Sequence, residues 1–256
     1  MREEHMQGTR VLIVGSGGGI GEALSERFAG RGAELLLIGH RPEKLQAQVD
    51  ALKEKRYAAE GAACDVRDRG ALKSSIAQLA GSGKIDVLVY NAAAYSDSVR
   101  IQDLPEDEAV RRWDEAAEVN LSGFYLSVLY ALPHLRRGTA VVIAVASQLG
   151  HVATAGQVPY CGTKGGLIHL AKALAVDLAA EKIRVVSLSP GGTATSRLTR
   201  RFGTMDEAEE KLGRKHVLGR LGTPEEVAAA AVFLAGSGAE FITGTVLLVD
   251  GGYTAV

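Results

Sequence analysis

Cysteine, proline and aromatic residues are scarce in this chain of 256 residues. The 2 cysteines, Cys64 and Cys161, are too few for a disulfide framework, so we expect a reducing compartment and a cytoplasmic protein. Only 6 prolines accompany 31 glycines, which argues against a low-complexity chain and means that the glycines need local explanations. The formal net charge of -1 offers no general attraction to nucleic acid or to an anionic membrane.

Long apolar runs are also missing. Stretches such as 141–146 are far too short to cross a membrane, and the polar residues 1–6 do not resemble a signal peptide. Without a linker, repeat or shift in composition, the chain is predicted to form a single domain over residues 1–256. We predict no metal site, because no carboxylate cluster accompanies the histidines and their spacing does not suit a metal. These histidines are His40, His134, His151, His169 and His216.

Short apolar segments rich in β-branched residues alternate with helical patterns along the chain. The predicted strands cover residues 10–14, 35–38, 87–89, 141–145, 185–188 and 246–249. Helical patterns cover residues 42–55 and 158–181, and a further helix begins at Thr223-Pro224. Strands that are apolar on both faces are typical of a parallel sheet covered on both sides. The fold class is therefore α/β, a Rossmann-type domain with a doubly wound parallel sheet.

A glycine-rich loop with the sequence GSGGGIG, residues 15–21, follows the first strand and opens the first helix. Free N–H groups at a helix N-terminus bind the pyrophosphate of a dinucleotide, and glycine lets the backbone approach it closely. A flexible turn is the alternative, but the strand–loop–helix context favours nucleotide binding. The residues expected at the phosphates are Gly15, Ser16, Gly18, Gly19, Ile20 and Gly21.

Tyr160 and Lys164 are four residues apart on a predicted helix and therefore share one face. A nearby ammonium lowers the pKa of a phenol, which makes a tyrosine usable as an acid or base near neutral pH. Ser147 follows a buried strand, where parallel-sheet enzymes place catalytic groups. The alternative is a Tyr/Lys pair on a helix surface beside an unrelated loop serine.

Together these motifs resemble those of the short-chain dehydrogenase/reductase family. The shared elements are the glycine loop, Asn91-Ala92-Ala93, Asn120, Ser147, Tyr160, Lys164, Pro190-Gly191 and Asp250-Gly251-Gly252, in that order. The resemblance extends from Arg10 to Tyr253 and is greatest to 3-oxoacyl-carrier-protein reductases and to secondary-alcohol or sugar dehydrogenases. It implies an NAD(P)-dependent oxidoreductase that interconverts a secondary alcohol and a ketone. The alternative is a nucleotide-binding sensor or scaffold without turnover.

The resemblance also implies a role for each catalytic residue. Tyr160 would exchange a proton with the substrate oxygen, and Ser147 would orient that oxygen. Lys164 would lower the pKa of Tyr160 and bind the nicotinamide ribose, while Asn120 would hold a water in the proton relay. The chain departs from the usual residues of the family at Val14, Ala94 and Ser189. None of these positions belongs to the catalytic tetrad, which is Asn120, Ser147, Tyr160 and Lys164. We therefore expect altered loop stability rather than a loss of catalysis.

Further cofactor contacts are implied in the same way. Asp65-Val66 would contact adenine, Asn91 would steady the central strand, and Pro190-Gly191 with Thr193 would flank the nicotinamide. The expected cofactor-binding residues beyond the glycine loop are His40, Arg41, Asp65, Val66, Asn91, Ala92, Ala93, Tyr160, Lys164, Pro190, Gly191 and Thr193.

The end of the second strand predicts a preference for NADP(H) over NAD(H). An NAD site usually offers a carboxylate to the ribose hydroxyls at this point, and that charge repels a 2′-phosphate. Here Gly39, His40 and Arg41 supply no acid, and a guanidinium can bind a phosphate. Gly18 stands where NADP-binding relatives often carry a second basic residue, so NAD(H) use is also possible.

The segment 193–215, here called the lid segment, is charged and contains Gly203 and Gly213 as hinge candidates. We expect it to be mobile and to close over the site. Its arginines, Arg197, Arg200 and Arg201, would either meet an anionic substrate or form a solvated helix face. His151 would either line the substrate pocket or lie on the surface. We also predict a homotetramer, from Ala171, Ala175 and Leu178 on long helices and from the resemblance.

Overall fold

A computed structural model of the protein describes residues 5–256, so most of the polar segment 1–6 lies outside the described residues. The described part contains a seven-stranded sheet in the order β3-β2-β1-β4-β5-β6-β7, and every neighbouring pair is parallel. The strands are β1 (Arg10–Val14), β2 (Glu34–Gly39), β3 (Ala59–Ala63), β4 (Val87–Tyr90), β5 (Val141–Val145), β6 (Arg184–Pro190) and β7 (Val246–Val249). The doubly wound sheet predicted from the sequence is confirmed.

Helices cover both faces of this sheet, and each face has its own hydrophobic core. Alternate residues of one strand enter opposite cores, because successive side chains point to opposite faces. In β1, for example, Leu12 and Val14 join one core while Val11 and Ile13 join the other. The helices are α1 (Gly19–Ala29), α2 (Pro42–Glu54), α3 (Arg69–Ala80), α4 (Glu106–Ala117), α5 (Gly123–Ala131), α6 (Val158–Asp177), α7 (Ser196–Phe202), α8 (Met205–Leu212) and α9 (Pro224–Ala235).

The strand order changes direction between β1 and β4. From β1 the chain builds outward through β2 and β3, then crosses back so that β4 pairs with the other side of β1. Loops after β1 and β4 therefore diverge and leave a crevice at the carboxyl edge of the sheet. This crevice receives both the glycine loop and Asn91.

One strand was absent from the sequence prediction. β3 has the sequence AEGAA and lies at the edge of the sheet, with several of its residues exposed. An edge strand with one solvated side needs no apolar run, so hydrophobic pattern alone does not reveal it. The predicted helix over 158–181 ends earlier, at Asp177, and a short 3-10 turn covers Ala179–Glu181.

The lid segment folds into α7 and α8 around a small separate core. One other expectation needs correction. The residues offered as evidence for a tetramer, Ala171, Ala175 and Leu178, are buried within the chain itself and so need no partner. Across residues 5–256, no helix is both long and apolar enough to span a membrane.

Candidate active site

The glycine loop packs so closely that side chains are excluded at its two ends. Gly15 has φ +91, and a Cβ on it would lie 2.3 Å from the backbone nitrogen of Ala92. A Cβ on Gly21 would lie 2.4 Å from the carbonyl oxygen of Gly15. At Gly17 and Gly18, in contrast, a Cβ would meet nothing within 4 Å. The loop thus packs closely at Gly15 and Gly21 and leaves open space at Gly17 and Gly18. This shape accommodates a pyrophosphate at the start of α1.

Asn91 joins the two sides of the crevice. Its side-chain amide donates a hydrogen bond of 2.7 Å to the carbonyl oxygen of Gly15. The backbone N–H groups of Asn91 and Ala92 both donate to the carbonyl of Val14. The loop after β4 is thus held to the end of β1, and Ala93 reaches the cavity beside it. Ser16 contributes a fully buried hydroxyl that has no hydrogen-bond partner in the described structure, as expected where a polar ligand binds.

Three predicted catalytic side chains meet at the same edge of the sheet. Ser147 follows β5 by two residues, whereas Tyr160 and Lys164 lie on the first turns of α6. The Ser147 hydroxyl is close enough to Tyr160 to help lower its pKa, and the Lys164 ammonium lies 5.8 Å from the centre of the Tyr160 ring. Ser147 Oγ also accepts a hydrogen bond of 3.1 Å from the Leu149 N–H. All three side chains are buried.

The pKa of Tyr160 is lowered by this environment. Burial alone would raise it, but the cations of Arg197 and Lys164, with hydrogen bonds from Arg197 and Ser147, outweigh burial and favour the phenolate. The pKa of Lys164 is also lowered, mainly by burial and further by Arg197, although Tyr160 opposes this shift. Tyr90 is a useful contrast, since burial with no adjacent cation raises its pKa. Of these two buried tyrosines, only Tyr160 has neighbours that favour the phenolate.

Asn120 has a different environment from the other three tetrad residues. It lies in a π-helical turn, Glu118–Ser122, between α4 and α5 rather than within a regular long helix. Its Oδ1 accepts from the Ala94 N–H at 2.9 Å, and its Nδ2 donates to Thr163 Oγ1 at 2.9 Å. The buried amide thus connects the loop after β4 to the turn of α6 that precedes Lys164. The water-holding role remains a prediction.

The residues expected at the adenosine end lie beyond β2 and β3. His40 and Arg41 are exposed, and the Arg41 guanidinium donates to the Gly17 carbonyl at 3.0 Å. Asp65 forms an ion pair of 2.6 Å with Arg67, whose hydrogen bond lowers the pKa of Asp65. Val66, which follows Asp65, is buried. No carboxylate is supplied by Gly39 at the end of β2, as the sequence indicated.

A cavity of about 290 Å³ adjoins Ser147, Tyr160 and Lys164. Of the predicted cofactor residues, Ile20, Asn91, Ala93, Pro190, Gly191 and Thr193 also line it. His151 does not line this cavity; its Nε2 lies 3.1 Å from the Ser189 hydroxyl. Among the basic residues of the lid segment, Arg197 and Arg201 line the cavity but Arg200 does not.

Several lining residues were missed by sequence reasoning, notably Tyr95, Gln148 and Tyr253. Tyr95 lies in the loop after β4 and meets the Tyr160 ring edge-on, with ring centres 5.0 Å apart. The one available signal was that Tyr95 is the single aromatic residue between positions 91 and 100. In the part of the chain that the structure describes, no group of three or more His, Cys, Asp or Glu residues could hold a metal ion.

Several known proteins resemble this chain along nearly its whole length. Residues 14–254 match the family described as enoyl-(acyl carrier protein) reductase. The chain is 32% identical to meso-2,3-butanediol dehydrogenase from Serratia marcescens, with coverage of 96% of this chain and 94% of the relative. It is 33% identical to cis-4-hydroxycyclohexanecarboxylate dehydrogenase from Sinomonas cyclohexanicum, with coverage of 96% of both chains.

A solved structure of similar fold is a putative NAD(P)-dependent gluconate 5-dehydrogenase from Beutenbergia cavernae with bound NADP. Its TM-score is 0.88 at 27% identity, with coverage of 98% of this chain and 99% of that one. The present chain belongs to the short-chain dehydrogenase/reductase family. It is an oxidoreductase of a family that binds NAD(P) and acts on CH–OH groups.

Proposed function

We propose that this enzyme interconverts a secondary alcohol and a ketone, with Tyr160 as its general acid and base. The observation that supports this most directly is the buried Tyr160 side chain, whose ring centre lies 5.8 Å from the Lys164 ammonium and 5.2 Å from the Arg197 guanidinium carbon, so that both cations favour its ionised form. When bound, the nicotinamide accepts a hydride from the alcohol carbon or returns one to the ketone carbon. The glycine loop fits such a dinucleotide, because it leaves open space at Gly17 and Gly18 and because the buried Ser16 hydroxyl has no hydrogen-bond partner in the described structure.

The residues of the chain supply proton transfer and positioning. In the oxidation direction, the Tyr160 phenolate accepts the proton of the alcohol hydroxyl as its carbon gives up the hydride. In the reduction direction, the Tyr160 hydroxyl returns that proton to the ketone oxygen, so each proton has a donor and an acceptor. Ser147 donates a hydrogen bond to the same substrate oxygen. Lys164 stabilises the phenolate, and we expect it to bond the ribose as well.

NADP(H) is the proposed preferred cofactor, with NAD(H) as the alternative. Gly39 places no carboxylate where the adenosine ribose is expected, and the nearby Asp65 is paired with Arg67. Arg41 lies against the glycine loop through Gly17 and could turn toward a 2′-phosphate. The relative of known structure with bound NADP is consistent with this preference.

The named relatives support a secondary alcohol as substrate without narrowing it further. One is named for a diol, and two are named for hydroxylated carboxylic acids. A homotetramer and a cytoplasmic location remain predictions.

The proposed function is tested by a spectrophotometric screen of secondary alcohols and ketones with both cofactors, in wild type and in Tyr160→Phe. The phenylalanine keeps the ring but removes the transferable proton, so turnover should fall by at least ~100-fold. The dissociation constant of the cofactor should stay nearly unchanged, because the ring still fills its position. Substantial activity in Tyr160→Phe would refute the role of the tyrosine. Cofactor binding by the wild type without turnover on any substrate would favour a sensor or scaffold.

A further inference from the structure

The cavity beside Tyr160 is lined by positive charge alone. Its charged lining residues are Lys164, Arg197, Arg201, Lys211 and Lys215. No aspartate or glutamate of the described chain lines it, although acidic and basic residues nearly balance over the whole sequence. Except for Lys164, these cations come from the lid segment. A cleft lined by one sign of charge concentrates ligands of the opposite sign, so this cavity favours anions.

Arg197 is the cation of the lid segment that lies closest to the Tyr160 ring. Its guanidinium carbon lies 3.6 Å from the centre of the Tyr95 ring and 5.2 Å from the centre of the Tyr160 ring. No ion pair joins Arg197 to a carboxylate anywhere in residues 5–256. A guanidinium stacked on a ring keeps N–H groups at its edge available, and their fork geometry matches a carboxylate.

Tyr95, on which Arg197 stacks, is itself held in place. The Tyr95 hydroxyl accepts a hydrogen bond of 2.5 Å from Arg201, and the same guanidinium donates to Ser98 Oγ at 2.9 Å. Gln157, at the start of α6, donates to Ser98 Oγ at 2.8 Å. The stacking surface is therefore tied to the helix that carries Tyr160. A receptor arranged before its ligand arrives loses less entropy on binding.

We propose that Arg197 binds the carboxylate of the substrate, and that the substrate is a small hydroxy acid or the corresponding oxo acid. This inference rests on the proposed function, since it places the carboxylate relative to the carbon that is oxidised. A carboxylate oxygen lies about 2.8 Å from a guanidinium nitrogen that binds it. With Arg197 so close to Tyr160, the carboxylate and the reacting carbon are separated by only a few carbons.

The phosphates of the cofactor are the competing anion, but the geometry favours the substrate. Arg197 stacks on Tyr95, in the loop after β4, and not on the glycine loop at the start of α1. The lid residue that approaches the glycine loop is Thr195, whose methyl carbon lies 2.5 Å from the position that a Cβ on Gly19 would take. Thr195 thus faces the cofactor side of the cavity, and Arg197 faces the side bounded by Tyr95 and Tyr160.

The test compares small hydroxy acids with their methyl esters, which keep the reacting alcohol and remove the charge. The wild type should prefer each accepted acid over its ester by about 10-fold or more in kcat/KM. Arg197→Gln should lower kcat/KM for the acid by about 30-fold, chiefly through KM, and for the ester by only about 3-fold. Because any change in the pKa of Tyr160 affects acid and ester alike, the ratio between them reports the carboxylate contact.

Arg200→Gln is the matched control. Arg200 is on the same helix and carries the same charge, but it is exposed and does not line the cavity, so both substrates should react as in wild type. The dissociation constant of NADP⁺ should be unchanged in both variants. Equal losses on acid and ester in Arg197→Gln, a wild-type preference for the esters, or weakened NADP⁺ binding would each overturn the proposal.

If other secondary alcohols react but no hydroxy acid does, the proposed function stands and the carboxylate proposal is overturned. If no secondary alcohol or ketone reacts at all, the proposed function fails and the carboxylate site is judged by binding alone. Wild type and Arg197→Gln are then titrated with butyrate by calorimetry in the presence of NADP⁺. Binding by the wild type that is lost in the variant supports the carboxylate site. Absence of butyrate binding to the wild type, or equal binding to both proteins, overturns it.

Discussion

The Lys164 ammonium donates a hydrogen bond of 2.8 Å to the carbonyl oxygen of Val145, the last residue of β5. Ser147 follows that residue by only two positions. The end of this strand therefore accepts a hydrogen bond from the ammonium and also positions the serine. Both groups are thus positioned by the end of β5, and the ammonium lies 5.8 Å from the centre of the Tyr160 ring.

Replacing Lys164 by alanine should damage both turnover and cofactor binding. The ammonium helps to hold the pKa of Tyr160 below its ordinary value, so its loss should raise that pKa. Because oxidation needs the phenolate, the rising part of the pH profile of kcat/KM should move to higher pH, by about one unit. Lys172→Ala, on an exposed position of the same helix, is the control and should leave the profile in place. An unshifted profile in Lys164→Ala would contradict this role.

Gly39→Asp should move cofactor preference toward NAD(H). A Cβ at this position would lie 3.6 Å from both Leu45 Cδ1 and Ser16 Oγ, which is ordinary contact, so the backbone accommodates a side chain here. The new carboxylate would repel a 2′-phosphate and could accept from ribose hydroxyls, changing the kcat/KM ratio by about tenfold or more, or about 1.4 kcal/mol.

Gly39→Asn has the same size without the charge and should shift the ratio much less. Steady-state kinetics with both cofactors measure the effect. A wild type that strongly prefers NAD(H), together with an Arg41→Ala variant that changes nothing, would show that this turn does not select NADP(H).

The lid segment should exchange its amide hydrogens fastest in the free enzyme and more slowly with cofactor or substrate bound. Its own core consists of only three buried residues, Leu198, Ala208 and Leu221, so little buried area opposes local opening. Gly203, with φ +97, separates α7 from α8 and provides a hinge. Hydrogen-exchange mass spectrometry tests this, with β5 as the unchanging reference. Identical exchange with and without ligands would contradict closure.

The enzyme should be a homotetramer, with apolar surface residues buried between subunits. Phe241 is fully exposed, Phe233 is about half-exposed on α9, and Leu248 lies on the edge strand β7. On α5, Tyr125 and Leu129 are also about half-exposed. Two separate apolar surfaces suit two kinds of two-fold contact. Light scattering at micromolar concentration should give a tetrameric mass, and a monomeric mass would contradict the prediction.

Phe233→Glu tests the α9 surface by placing a charge where a second subunit would pack. The expected result is a smaller assembly whose subunits remain folded, because Phe233 is about half-exposed within its own chain. A tetrameric mass that persists in this variant would show that the contact lies elsewhere.

The sequence predicted most of the sheet because buried parallel strands are apolar on both faces. β1, β5 and β7 have the predicted bounds, whereas the edge strand β3 was missed because it carries small and polar residues. The two short helices of the lid segment were not predicted, because both are rich in charged residues. Short helices depend on tertiary packing for their stability, and a pattern read along the chain does not contain that packing.

By itself, the sequence determined which residues stand near the ends of strands and which share a helix face. Tyr160 and Lys164 are adjacent because four residues make about one helical turn, and Ser147 is placed by the strand before it. Only the tertiary structure decided that Tyr95 and Arg197 stack beside Tyr160. These residues are distant in sequence, and their contact arises because parallel strands bring their carboxyl-end loops to one edge, where packing rather than local pattern selects the neighbours.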